Sequence, residues 1–433
     1  MKAFFFFSLL IPSIVCSQTL IKTYYEKGQL KEEYAILDGD SSKVDGDYKM
    51  YDLKGNVIVT GVFDKGNKNG TFKNFYANGS LQRETVYAHN LRQGLTRVYA
   101  VEGQLIQEAT FKNDTLVGSV KLYDSEGRIK STTTFEKGLP DGPVYDYYEN
   151  GKVKEETYYK DGKPNGHTRQ YYQSGIIKLE AEYTAGLLNG LYKTYYPSGR
   201  LELEVLNDRG RRSGTLKTYH ENGQLKSTGI YRNGGLQGNF LSYFEDGSIK
   251  NKFSYKDGYR TGKNLEYHPN GEVKVESIYS NGGKDAIIKS YSPKAKLVSE
   301  KRLKTELPSG QWSFWETNGD LLLIENYAKG KLEGIRIAYE KGKKVSETNY
   351  ERGRKKGPST QYYSNGAIQV TQSFELDRLH GAFTKYYKSG KVEYQGTYVR
   401  NKRHGIWKYY DKKGVITEEI HYKMGVRVPL EDK

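Results

Sequence analysis

Cysteine is almost missing from this chain: Cys16 is the only one in 433 residues. It falls inside the first seventeen residues, which read as a removable leader. The mature chain is therefore expected to have no disulfide, no cysteine-ligated zinc and no thiol nucleophile. Long apolar runs are also missing, and beyond the leader no segment is apolar enough to cross a bilayer. Apolar content is low overall, at 36% with a mean hydropathy of −0.80. That is too little for a deep globular core. Forty tyrosines offset the shortage, because an amphipathic ring covers a thin sheet while its hydroxyl stays wet.

The leader consists of Lys2, an apolar run from Phe4 to Ile11, Pro12 and the small residues around Ser17. This is the pattern of a secretory signal peptide cut after Ser17. An uncleaved anchor conflicts with a run too short to span a membrane. Lipid attachment at Cys16 conflicts with Val15 immediately before it. The expected plan is a signal peptide at 1–17, a continuous repeat array at 18–425 and a tail at 426–433. Such a chain is exported, to be periplasmic, outer-membrane-associated or secreted.

What fills the rest is repetition, with a period of 24 residues and about seventeen copies. One glycine register runs Gly28, Gly55, Gly79, Gly103 and onward to Gly414, with Ala295 in place of one glycine. A second runs Gly46, Gly70, Gly94, Gly118 and onward to Gly405, with Ala286 in place of one. Glycine at such intervals marks turns. The first interval is three residues longer, through the stretch from Asp38 to Asp47, and the interval ending at Gly342 is one shorter. Both changes are expected to fall in turns.

In the unit around Gly151, Pro143 to Tyr148 and Lys152 to Tyr159 are two short runs joined at Asn150-Gly151. Asn-Gly between extended segments signals a hairpin, since both residues tolerate positive φ. Four residues before the central glycine the position is aromatic in every unit, as in Tyr123, Tyr147, Tyr171 and Tyr195. Two after it stands Val, Leu or Ile, as in Val153, and eight after it Tyr or Phe, as in Tyr159. Even spacing in a strand predicts that these two share one buried face. Glu at position five (Glu84, Glu108, Glu156, Glu180) and Lys at position three (Lys154, Lys178) are then expected on a solvated face, as a charge ladder. The fold class is all-β, an elongated open array of 24-residue β-hairpins. At ~4.8 Å per strand it would extend on the order of 160 Å.

Blocks such as Tyr147-Tyr148-Glu149-Asn150-Gly151-Lys152-Val153 and Tyr195-Tyr196-Pro197-Ser198-Gly199-Arg200-Leu201 resemble the bacterial MORN-repeat variant family over essentially all of residues 20–425. Some members of that family are labelled antitoxin-like. The resemblance implies an open hairpin array serving as a scaffold, a dimerisation surface or a membrane-proximal binding module, with no catalytic residue to carry over. The chain is less glycine-rich than the eukaryotic-type repeat, so phosphoinositide binding is not carried over.

The sequence offers no nucleophile paired with a base, and neither an enzyme activity, a cofactor nor a metal site is expected. His380 and His404 occupy the same position one repeat apart, roughly 10 Å from each other, too far for one metal ion. Asp38, Asp40, Asp45 and Asp47 resemble a calcium loop, but Lys43 stands where the sixth-position glycine is required.

Two candidate binding surfaces remain. Three before the central glycine, six consecutive units read Tyr148, Tyr172, Tyr196, His220, Phe244 and His268. This aromatic stripe is either a surface for sugars or extended peptide or part of the packing. The second is basic. A formal charge of +16 is concentrated in turns such as Arg209, Arg211 and Arg212, and Arg352, Arg354, Lys355 and Lys356. Such turns attract anionic lipid, acidic glycan or acidic protein, and export argues against nucleic acid. The leading expectation is a protein-interaction scaffold. Binding of anionic lipid or acidic glycan comes second, and an antitoxin or immunity role third.

Overall fold

The computed structural model describes residues 18–37 and 40–429. The expected signal peptide at 1–17, Asp38 and residues 430–433 lie outside these. Two compact units divide the chain at residues 211 and 212. In each, strands of about eight residues follow one another and pair antiparallel with their neighbours in sequence. The only helix among the described residues is one 3₁₀ turn, Asn281–Gly283.

One repeat shows how the sequence builds this. Val153–Lys160 turns into Lys163–Tyr171, which turns into Ile177–Thr184. The two turns differ. Between Lys160 and Lys163 stand only Asp161 and Gly162, with φ of 48° and 77°. This is a two-residue turn whose twist matches that of the strands. Between Tyr172 and Ile176 the loop is Gln173-Ser174-Gly175. It is closed by Tyr172 N–H to Ile176 C=O and Gly175 N–H to Tyr172 C=O, both 2.8 Å, and only Gly175 is left-handed (φ 96°).

Asn150-Gly151 forms the same three-residue loop, so the sequence reading of two positive-φ residues there is corrected. The asparagine contributes its side chain instead. Asn150 Oδ1 accepts the Lys152 N–H (3.1 Å) and its Nδ2 donates to Gln173 C=O of the next repeat (3.3 Å).

The second glycine register also differs from expectation. Gly166 is not in a turn but inside Lys163–Tyr171, where Tyr159 pairs with Pro164 and Thr157 with Thr168. Three residues, Asn165 to His167, therefore bulge opposite Tyr158, and Gly166 takes φ 117°. Asn165 Oδ1 then accepts the Ala185 N–H of the next two-residue turn (3.0 Å). Asn189, Asp285 and Glu333 serve Arg209, Thr305 and Arg352 in the same way. Turns also stack directly: Gly162 N–H donates to Pro140 C=O, Gly186 to Pro164 and Gly210 to Leu188, at 2.7 to 2.8 Å.

The irregular units follow the same logic. The three extra residues of the first interval lie not in a turn but in a strand, 41–43 between the pairs Leu37 with Asp40 and Ile36 with Val44. The deletion at Gly342 does fall in a turn, converting a three-residue loop into the two-residue turn Lys341-Gly342. Around Ala286 the bulge disappears. Ser280 pairs with Asp285 and Ser277 with Ile288 without a register shift, and the two residues normally taken by the bulge sit in a four-residue turn, 281–284. Ala286 needs no glycine because it lies in plain ladder.

Ala295, by contrast, takes φ 56° in a loop position that glycine fills elsewhere. Ala295→Gly is expected to raise stability by about 1 kcal/mol, read from hydrogen-exchange protection around residues 292–296. Unchanged or reduced protection would show that the Cβ is accommodated without strain. At the far end, Val426–Val428, expected as tail, pair with His421 to Lys423 across Met424-Gly425. Another left-handed two-residue turn carries the ladder past the sequence boundary.

Bulges also decide the faces. Tyr147 pairs with Val153 but Asp146 with Glu155, so Lys154 is the extra residue and alternation resets behind it. Val153 and Tyr159 therefore lie on opposite faces, correcting the even-spacing argument. The front face carries a row of directly opposed small residues: Val144 with Thr157, Thr157 with Thr168, Thr168 with Ala181. These are β-branched or small side chains suited to a pleated surface, and Thr157, Thr168 and Ala181 are buried. Where the row holds a large ring, its neighbour shrinks. Gly61 stands under Phe72, Gly229 under Phe240 and Gly396 under Trp407, and a Cβ on any of these glycines would overlap the ring.

Candidate binding surfaces

The back face carries the invariant aromatic position. Tyr123 donates its hydroxyl to Glu108 at 2.8 Å, Tyr195 to Glu180 at 2.7 Å and Tyr362 to Glu347 at 2.8 Å. Arg97 and Arg169 reach Glu108 and Glu180 at 3.0 and 3.2 Å. Glu108 is only 19% exposed, so this glutamate row is half-buried and hydrogen-bonded to tyrosine, not the solvated ladder expected. Lys154 and Lys178, the residues set aside by the bulge, are the exposed ones.

The hydrogen bond from Tyr123, then that from Arg97, holds the Glu108 carboxyl below its ordinary range, and Tyr195 does the same for Glu180. Burial, followed by the glutamate bond, pushes Tyr123 and Tyr195 up to about 12. A depressed folded pKa gives stability that is present above the unfolded value and lost as pH falls through the folded one. Each carboxylate is thus expected to contribute about 0.5–1 kcal/mol at neutral pH, lost below about pH 4. Urea midpoints of the native chain and Glu180→Gln across pH 3 to 7 should converge at the acid end. A constant gap would assign the effect to packing.

The aromatic stripe is placed at the three-residue loops, and all six of its side chains are half-buried. Tyr148 donates to Tyr171 C=O and Tyr172 to Tyr195 C=O, both at 2.7 Å. His220 and His268 place Nε2 at 3.2 and 2.9 Å from Tyr243 and Tyr291 C=O. Each therefore ties its loop to the end of the following strand. Tyr196 and Phe244 hold the equivalent positions, and Lys250 lies 5.6 Å from the Phe244 ring centre.

Among the basic residues, Arg209 and Arg352 are first residues of two-residue turns, at φ 48° and 52°. Arg209, Arg211, Arg212, Arg352 and Arg354 are exposed. Arg212 leans over Tyr231 (5.6 Å) and Lys355 over Phe374 (5.1 Å). Lys356 pairs with Glu351 at 2.6 Å.

The acidic loop candidates are used locally. Asp40 pairs with Lys43 at 3.0 Å and Asp45 accepts the Lys65 N–H at 2.9 Å. His380 stands in the bulge of its strand as Asn165 does, whereas His404, the equivalent residue one repeat on, pairs with Thr397, and its Nδ1 is buried without a partner. Among the described residues no three His, Cys, Asp or Glu side chains converge.

A feature absent from the sequence reading is a groove of about 350 Å³ on the front face of the first unit. Its floor is Thr85, Thr96 and Ala109, exposed by 4 to 8%. Tyr87 and Phe111 wall one side, and Arg83 stands on the other. Beyond Thr85 the row is closed off by Phe72, which meets Phe63 and Tyr87 edge-on at 5.3 Å.

An antiparallel array of 24-residue hairpins, tied turn to turn along both edges, belongs to the class of open β-repeat scaffolds. Nine stretches match the family described as MORN repeat variant: residues 68–89, 140–161, 164–185, 188–206, 212–233, 236–257, 260–281, 379–400 and 403–424. The chain is a MORN-variant repeat protein.

Among solved structures, the crystal structure of TcdB2-TccC3-Cdc42 matches with 11% identity over 93% of this chain and 27% of that chain, at a TM-score of 0.14. That of TcdB2-TccC3-TEV matches with 12% identity over 93% and 29%, also at 0.14. The chain thus spans little more than a quarter of the length of those chains. No curated protein sequence matches.

Proposed function

We propose that this chain is an exported, non-enzymatic scaffold that presents an extended surface to a protein partner in the cell envelope or outside it. The observation carrying this reading is how the recurrent polar groups are used. The loop asparagines, the bulge asparagines and the tyrosine-glutamate pairs all hold one repeat to the next. What varies between repeats is then the exposed surface, including Leu191 opposite Leu206 and Ile278 opposite Ile287, apolar pairs left 36 to 48% exposed. Export rests on the leader at 1–17.

The test is affinity capture with the purified chain from envelope extracts, eluted stepwise with salt. A protein retained through high salt supports the scaffold, since a packed apolar contact survives screening. Release of lipid or acidic glycan at modest salt, with no protein held, would transfer the function to the basic turns. N-terminal sequencing of the exported protein should begin at Gln18. A chain that retains Met1 and stays inside the cell would overturn the export reading.

A further inference from the structure

The groove over Thr85, Thr96 and Ala109 differs from the rest of the front face in its charge. Arg83 stands four residues after its central glycine, a position held in the other repeats by neutral or acidic residues such as Gln107, Ser131, Glu155, Leu179 and Asn251. It pairs in register with Asn74 and Val98. Its side chain is exposed and, among the described residues, makes no hydrogen bond or ion pair. Across the floor Arg92 lies over the Phe111 ring at 4.0 Å and is held by Asp114 at 3.0 Å. No carboxylate is among the residues lining the groove. Beneath them Thr96 is 8% exposed, and its hydroxyl has no partner.

These features together specify an occupant. Stacking of a sugar ring is disfavoured, because Arg92 covers a face of Phe111 and Lys68 stands 5.2 Å from the centre of Tyr87. An unpaired guanidinium beside a floor of small side chains instead suits a carboxylate carried on a narrow aliphatic stem. We infer that this groove binds an acidic linear peptide segment of a protein partner, with a glutamate or aspartate carboxylate on Arg83 and small neighbouring side chains over Thr85 and Ala109. The inference rests on the protein-scaffold reading and assigns a recognition site to it. Because the surrounding strands already pair with neighbours on both sides, apart from the bulge at 93–95 opposite Val86, recognition falls to side chains, and the acidic group sets specificity.

The test uses the full chain and a fluorescein-labelled decapeptide of alternating glutamate and alanine, read by anisotropy. Arg83→Gln is expected to weaken binding at least tenfold, while the double variant Arg209→Gln, Arg211→Gln binds as the native chain does. A peptide with glutamine in place of glutamate should not bind. Equal binding by Arg83→Gln, equal loss in the turn variant, or binding of labelled oligogalacturonate with no binding of the peptide would each overturn the inference. If Arg83→Gln still captures the native partner through high salt, the scaffold reading stands and only this site is lost. If neither chain captures protein, the scaffold reading itself fails.

Discussion

Trp407→Ala is expected to destabilise the last repeats by about 3–5 kcal/mol, the range for deleting a large buried aromatic. Trp407 is wholly buried. Phe383, Tyr398 and Tyr422 surround it at 5.8, 5.0 and 6.4 Å, the Arg403 guanidinium lies 4.4 Å from its centre, and its Nε1 donates to Thr397 C=O at 3.2 Å. The ring fills the space that Gly396 leaves, so truncation opens a cavity that the glycine beneath it cannot fill. Arg403 would feel the loss too. Burial opposes its charge, yet its hydroxyl partners, Tyr398 and Tyr422 foremost, together raise its pKa above the ordinary value. In a repeat array each unit is stabilised mainly by its neighbours, so the damage should stay local. Hydrogen exchange is expected to lose protection in Arg378–Tyr386, Val392–Val399, Lys402–Tyr410 and Ile416–Lys423, with distant strands of the same unit unchanged. Unaltered protection in these four strands would show that the aromatic cluster does not hold them.

Asn264→Leu should be almost as costly, for the opposite reason. Asn264 occupies a core-row position, is fully buried and replaces missing ladder bonds at a bulge. Its Nδ2 donates to Thr261 and Gly262 C=O at 3.0 and 2.9 Å, and its Oδ1 accepts the Ser254 N–H at 3.0 Å. Leucine has nearly the same size but leaves three backbone groups without partners, at about 1–3 kcal/mol each if they stay dry. A net loss of about 3 kcal/mol is expected, with faster exchange of the Ser254 amide as its marker. A neutral substitution would mean that water reaches these groups.

The period, the hairpin and the aromatic row were legible because each recurs with every copy, so the chain serves as its own alignment. The face assignment was not, because parity arguments assume an uninterrupted strand. The extra residue at Lys154 resets alternation, and the lysine that recurs at that position reads equally well as a solvent-facing strand residue. The second turn was legible only in part. Its first residue varies, being Asp161 in one copy and Ala185, Arg209 or Leu376 in others, but glycine recurs directly behind it at Gly138, Gly162, Gly186, Gly210 and Gly234, a third register that went unread. Asn-Gly misled at Asn150, since the asparagine side chain, not its φ, is what the fold uses there. Arg83 could have been found by asking which repeat departs from its copies in charge.

The hydrogen bonds that join one hairpin to the next have a mechanical consequence. Within either unit the strands lie across the direction in which repeats succeed one another. Tension applied along that direction would load the bonds of one strand pair in sequence, as in opening a zip, and not all together. Hairpins should therefore peel away one at a time at low force, each releasing about 80 Å of extended chain. The turn-to-turn bonds from Gly162 to Pro140 and from Gly186 to Pro164 would be the catches that set each step.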